Sequence, residues 1–167
     1  MLAVVLFASC GYKPSAKYAR EALGQKVSTN VFISKEDPEN AVLVKDAIDA
    51  ALIDVFHASL TDRTHSDTHL DISLSNPRYS PIQYDANGFV TAYRMRVTLW
   101  IKSYRDGQRK SYTTAGYYDF AVEPNAVVTD QQRFEAIRNA AQKAISVFVA
   151  KISSEGARQS SINSKGH

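Results

Sequence analysis

The stretch Phe89-Val-Thr-Ala-Tyr93-Arg-Met-Arg-Val97-Thr-Leu-Trp100-Ile-Lys-Ser-Tyr104 decides the fold of this chain. Its residues alternate strictly in character. Tyr93, Met95, Val97, Leu99 and Ile101 fall on one face, and Arg94, Arg96, Thr98, Trp100 and Lys102 on the other. A period of two is the signature of a β-strand buried on one side only. Arg105-Asp106-Gly107-Gln108 then turns the chain, and the Tyr- and Thr-rich run 109–122 returns, which predicts a long antiparallel hairpin. An apolar strand face must be covered, and the rest of the sequence supplies the cover.

Upstream, Asp37-Pro38 reads as a helix start, with Asp as N-cap and Pro where its missing N–H costs nothing. Val44, Ile48, Ala51, Leu52, Val55 and Phe56 follow at helical spacing, with Asp46, Asp49 and Asp54 mostly off that stripe and an end near Leu60. Downstream, Thr129-Asp-Gln-Gln132 fits a capping box. Phe134, Ile137, Ala141, Ile145, Phe148 and Ile152 mark the stripe of a second helix. Two shorter strands complete the pattern: 27–34, and the alternating Leu70, Ile72 and Leu74. Pro77 and Pro81 interrupt the chain after Leu74, and Asp85-Ala-Asn87-Gly88 supplies a turn. The expected order is β-α-β-β-β-α: an α+β fold, with two helices packed on one face of a mostly antiparallel four-stranded sheet.

Composition sets the boundaries. Apolar residues make up 44% and charged residues 22% of 167, ordinary for one globular domain. The domain is expected over 27–152, after a tether over 10–26. Past Ser153, Ser, Gly, Gln, Asn and Lys dominate, so 153–167 reads as a disordered tail. Net charge is only +3, but it is polarised. From Phe89 to Tyr112 six basic residues face one acid, and from Glu36 to Asp62 seven acids face one base. Such a field steers an anionic partner to one side of the molecule.

Cys10 is the single cysteine and follows the apolar run 1–9, which ends in the small residues Ala8 and Ser9. The run is too short to span a bilayer. An apolar stretch of this length ending in small residues is the mark of a removable signal, here with the cysteine placed for lipidation. No Lys or Arg precedes the run, so either the start lies further upstream or the front of the signal is atypical. A buried cysteine on a short strand is the alternative, disfavoured because nothing apolar follows Cys10. Two or three acyl chains give a stable membrane anchor, and Gly11 rather than Asp after the cysteine points to the outer membrane.

Signals for chemistry are sparse. There is no phosphate-cradling glycine loop, no G-x-S-x-G elbow and no paired cysteine ligand set. His65 and His69 have metal-like spacing but lie in a polar loop leading into a strand, so surface histidines are the expectation and no metal or cofactor is predicted. The basic strand face is the better signal. Arg94, Arg96 and Lys102 beside Trp100 form a platform for an anionic amphiphile, with a solvated strand face as the bland reading. An envelope location makes nucleic acid the lesser target.

Taken together, four features resemble the lipopolysaccharide-assembly lipoproteins of the LptE type. They are Cys10-Gly11-Tyr12, the turn Asn87-Gly88 leading through Ala92-Tyr93-Arg94-Met95 into a long strand, the Arg105-Asp106-Gly107 turn, and Tyr117-Tyr118-Asp119 before a helix. The likeness spans about residues 11–152. It implies a protein without catalytic activity or cofactor, seated as a plug in a β-barrel lipopolysaccharide translocon of the LptD type. Family members can carry functional basic residues before the Asn-Gly turn and before the last helix. Ala86 and Thr129 stand at those places here, so neither role transfers. An accessory lipoprotein of another envelope transporter or surface structure is the second reading, because fold alone does not fix function.

Overall fold

The computed structural model describes residues 23–33, 38–56, 60–74, 77–124 and 126–164. Cys10, the run expected to be its signal, most of the expected tether and Asp37, the expected cap of the first helix, lie outside these residues. Among the described residues five strands and two long helices follow one another: β1 (Val27–Ile33), α1 (Pro38–Phe56), β2 (Thr68–Leu74), β3 (Arg78–Tyr84), β4 (Val90–Arg105), β5 (Gln108–Ala121) and α2 (Asp130–Ser164). A short 3-10 turn at Arg63–His65 precedes β2, capped by the Asp62 carboxylate.

The class is α+β with both helices on one face, as expected, but the sheet has five strands and is mixed. β1 runs parallel to β2, a pairing that a crossover such as α1 makes possible. β4 is the central strand. Along one edge it pairs β2 through residues 99–104 and β3 through residues 90–96. Along its other edge it pairs β5 over its length. The unforeseen strand is β3, which the two prolines hide in the sequence. Proline is tolerated at a sheet edge, where its missing donor breaks no ladder bond. β3 is such an edge, with register shifts around Gln83.

The β4–β5 hairpin turns on two residues, Asp106 with φ 50° and Gly107 with φ 71°. Positive φ at both central positions is the type I′ turn, whose twist matches the strands it joins. It pairs Arg105 with Gln108 and thereby sets every pair up to Ala92 with Ala121.

The core lies between the sheet and the helices. Val44, Ile48, Ala51 and Leu52 of α1 and Ile137, Ala141, Ile145 and Phe148 of α2 are buried against Leu70, Ile72, Met95, Val97, Leu99 and Ile101. At Gly116 the second helix comes so close that a β-carbon would collide with the Ala140 carbonyl oxygen and lie 2.5 Å from the Ala144 nitrogen. The half-buried Asp54 accepts from Arg138 Nε and Nη2 at 2.9 and 2.6 Å, and from the Gln142 amide, clasping α1 to α2. The Thr129 hydroxyl accepts from Gln132 N–H at 3.2 Å while the Gln132 side chain accepts from Thr129 N–H at 3.0 Å. The capping box is formed.

α2 continues to Ser164, through 153–164 where composition predicts a disordered tail. The reason is local anchorage. Ser153 is buried, and Tyr112 Oη donates to Glu155 Oε2 at 3.0 Å with Lys110 Nζ 3.7 Å from the same oxygen. The helix is thus held to β5 a turn past Ile152, and propagation from a fixed turn costs far less than nucleation.

Candidate ligand-binding face

Among the described residues the helices cover only one side of the sheet, so the residues of opposite parity form an open face whose layout is set by the registers. At its centre runs the row Phe32–Ser73–Trp100–Thr113, one residue from each of β1, β2, β4 and β5. Trp100 is 44% and Phe32 49% exposed, unusual for side chains of that size. Toward the β4–β5 turn lie the rows Asn30–Asp71–Lys102–Ser111 and Ser28–His69–Tyr104–Arg109. Toward the other end lie Arg78–Arg96–Tyr117 and Ser80–Arg94–Asp119.

Arg94, Arg96, Trp100 and Lys102 all occupy the open face and are exposed. They differ in how free their charges are. Arg94 forks onto Asp119, Nε to Oδ1 and Nη2 to Oδ2, both at 2.7 Å. This bidentate geometry is the strong form of the pair. The hydrogen bonds from Arg94 hold the Asp119 carboxyl below the usual carboxylate range. Arg94 therefore brings little net charge to the face. Arg96 lies over the Tyr117 ring, 5.7 Å from its centroid, which orients the guanidinium and leaves its charge uncancelled. Lys102 stands across from Asp71, whose Oδ1 lies 3.1 Å from His69 Nε2.

The histidines behave differently from one another. His65 is exposed and bonds Asp62 at 2.8 Å. His69, expected at the surface, is buried instead, with Nδ1 2.8 Å from Ser28 Oγ. They turn to separate partners, and among the described residues no three His, Cys, Asp or Glu side chains gather as a metal site. Ser28, His69 and Asp71 imitate the order of a hydrolytic triad, but Ser28 is 3% exposed and its hydroxyl also bonds Ser66 Oγ at 2.8 Å. A nucleophile must reach its substrate. These contacts pin β1 to β2.

Arg78 escapes a reading of the sequence, because the prolines on either side of it mask the strand that holds it. The turn supplies a signal for the other surprise. With a two-residue loop at Asp106-Gly107, paired positions sum to a constant, which sets Asp119 opposite Arg94.

Among the described residues no helix is long and apolar enough to cross a membrane. A solved structure of a protein described as a lipoprotein, from Caulobacter crescentus, is similar with TM-score 0.54 and 12% identity, covering 86% of this chain and 98% of that one. That similarity is one of fold. A minor lipoprotein of Acinetobacter baumannii (TM-score 0.43, 13% identity, 78% and 92% covered) and rare lipoprotein B of Shewanella oneidensis (TM-score 0.40, 12% identity, 83% and 98% covered) are more distant. No curated protein matches the chain. The family model described as LptE, lipopolysaccharide-assembly, matches residues 28–152.

Proposed function

This chain belongs to the LptE lipopolysaccharide-assembly family, and from that premise we propose that it is a lipid-anchored outer-membrane subunit of a lipopolysaccharide translocon. In this reading Cys10 carries the acyl chains and the folded domain faces the periplasm. The domain plugs and helps assemble a β-barrel partner of the LptD type, and contacts lipopolysaccharide without any catalytic step or cofactor. The family match over most of the domain carries the proposal, and the open face supports it. A sheet side that the described helices leave open, with the exposed Trp100 indole between Arg96 and Lys102, suits an amphiphile with an anionic head. Arg96 and Lys102 would take charged groups of the head, each such contact worth about 1.5–3 kcal/mol. Trp100 would lie against the less polar part, and Arg94, held by Asp119, would order the face.

Three measurements test this. Tagged protein taken from membranes of its own cells should bring a large β-barrel with it. Cys10→Ala should abolish acyl-chain labelling of that protein. Purified R96E/K102E should bind lipopolysaccharide more weakly than the parent while staying folded, since both side chains point away from the core. No co-purifying barrel, with lipopolysaccharide binding absent in the parent, would defeat the reading.

A further inference from the structure

Arg78 and Arg96 are directly opposed across the β3–β4 pair on the open face. The β-carbons of opposed residues on one sheet face stand about 5 Å apart, so two side chains as long as arginine can reach one ligand, with the Arg96 guanidinium leaning over Tyr117 on the β5 side. Among the described residues no adjacent acid is left to cancel their charges. The acid of the next row, Asp119, has both carboxylate oxygens engaged by Arg94. Arg78, Arg94 and Arg96 with Asp119 leave two positive charges on two adjacent rows.

The register shows how Arg78 comes to be there. Through β2 each pair obeys one alignment, ending with Leu74 opposite Leu99. Continued unchanged, it would set Pro77 opposite Arg96 and turn Arg78 to the helix side opposite Met95. The alignment instead slips by one residue, so that Arg78 meets Arg96 and Tyr79 meets Met95. A one-residue slip moves every following side chain to the other face, and such irregularities re-aim side chains. The break between β2 and β3 thus builds a two-arginine face that an unbroken strand would lack.

We propose that Arg78 and Arg96, with Arg96 oriented by Tyr117, form a clamp for a phosphate monoester. Two guanidinium forks offer paired N–H donors in one plane each, and a phosphate monoester offers three acceptor oxygens and nearly two negative charges. Ser80, beside Arg78 on β3 and opposite Arg94, is exposed on the same face and places a hydroxyl next to the clamp. This deepens the reading above and rests on it for the ligand's setting, since it assigns the phosphorylated part of an amphiphile to one end of the face. The same chemistry occurs in a membrane-held headgroup and in a free phosphate ester.

The test uses the folded chain and needs neither lipopolysaccharide nor a barrel, so its failure is separable from failure of the proposed function. Binding is measured to phosphatidylcholine vesicles containing phosphatidic acid, and to glycerol phosphate by titration calorimetry. R78Q/R96Q should lower vesicle affinity by roughly tenfold or more. R78K/R96K should lose most of that too, because an ammonium keeps the charge without the fork. The control K45Q removes a charge from α1 and should bind like the parent. Dependence on the pair in both arms supports a site open to free phosphate esters. Dependence in the vesicle arm alone supports a site for a membrane-held headgroup. Unchanged binding by the folded Gln variant, full binding by the Lys variant, or no binding by the parent in either arm overturns the clamp.

Discussion

Replacing Gly116 with Ala tests the packing that leaves one side of the sheet open. In an ordinary strand the change should stabilise, because Ala loses less entropy on folding, by about 0.4–1 kcal/mol. Here the new methyl would lie 2.5 Å from the Ala144 nitrogen, with the Ala140 carbonyl oxygen nearer still. Ordinary contact needs about 3.5 Å, so α2 must retreat by at least about 1 Å. Both obstacles are backbone, so no rotamer change relieves them. Ile137, Ile145 and Phe148 of α2 are buried to 1% exposure or less and would retreat with it. A buried side chain of this size makes some 40–60 contacts of about 0.1–0.2 kcal/mol, and a gap of about 1 Å forfeits at least a quarter of each. With about half of those contacts directed at the sheet, the loss over the three side chains is at least about 3 kcal/mol. Urea unfolding followed by far-ultraviolet circular dichroism reads it directly, and for a chain of this size Tm should fall by about 6–12 °C. Gly116→Ala with Ala140→Gly should be no better, since the offending oxygen belongs to the main chain. A variant as stable as the parent, or more stable, would refute the close approach of α2 to β5.

Leu52→Ala and Phe148→Ala should each cost about 2–5 kcal/mol in the same assay, because both side chains are buried at the helix–sheet contact; a loss under half a kilocalorie per mole at both would contradict that burial. Tyr112→Phe keeps the ring against Phe148, 5.2 Å between centroids, but loses the bond to Glu155, for about 1 kcal/mol near neutral pH. Burial, aided by Glu155, pushes the Tyr112 phenol up to about 12 from the ordinary 10.0. Its contribution is therefore complete below about pH 10 and is lost as pH rises toward 12. Unfolding of both proteins across that range should show their difference shrinking, and a difference that grows would mean that the phenol is not held neutral by the fold.

The alternation from Tyr93 to Lys102, the helical stripes ending in Phe56 and Ile152, the helix start at Pro38 and the capping box at Thr129 each predicted an element that forms. Local signals succeed where one period runs long enough to dominate. They failed where the deciding fact was a neighbour. Pro77 and Pro81 are breakers in isolation, yet Pro81 is admissible in β3 because, among the described residues, β3 borders no strand on its far side. Residues 153–164 have little apolar content, yet they extend a helix fastened by Tyr112 and Lys110, which lie more than forty residues earlier. On the candidate face, which side Arg94, Arg96 and Lys102 occupy was legible from parity alone. Their unequal charge was not, because Asp119 meets Arg94 only through the hairpin register. Arg78 depended on a one-residue slip that no periodicity records.

The parallel pairing of β1 with β2 settles where the chain enters the sheet. Val27 lies beside Thr68, and His69 lies beside Tyr104, so entry occurs at the same end as the Asp106-Gly107 turn. Arg96 is eight residues from Tyr104 along β4, a span of about 27 Å at 3.4 Å per residue. β4 is bonded on both flanks and cannot stretch or fold back. The sheet is accordingly a ruler: the point where the chain enters it and the arginines at the far end are kept a set distance apart.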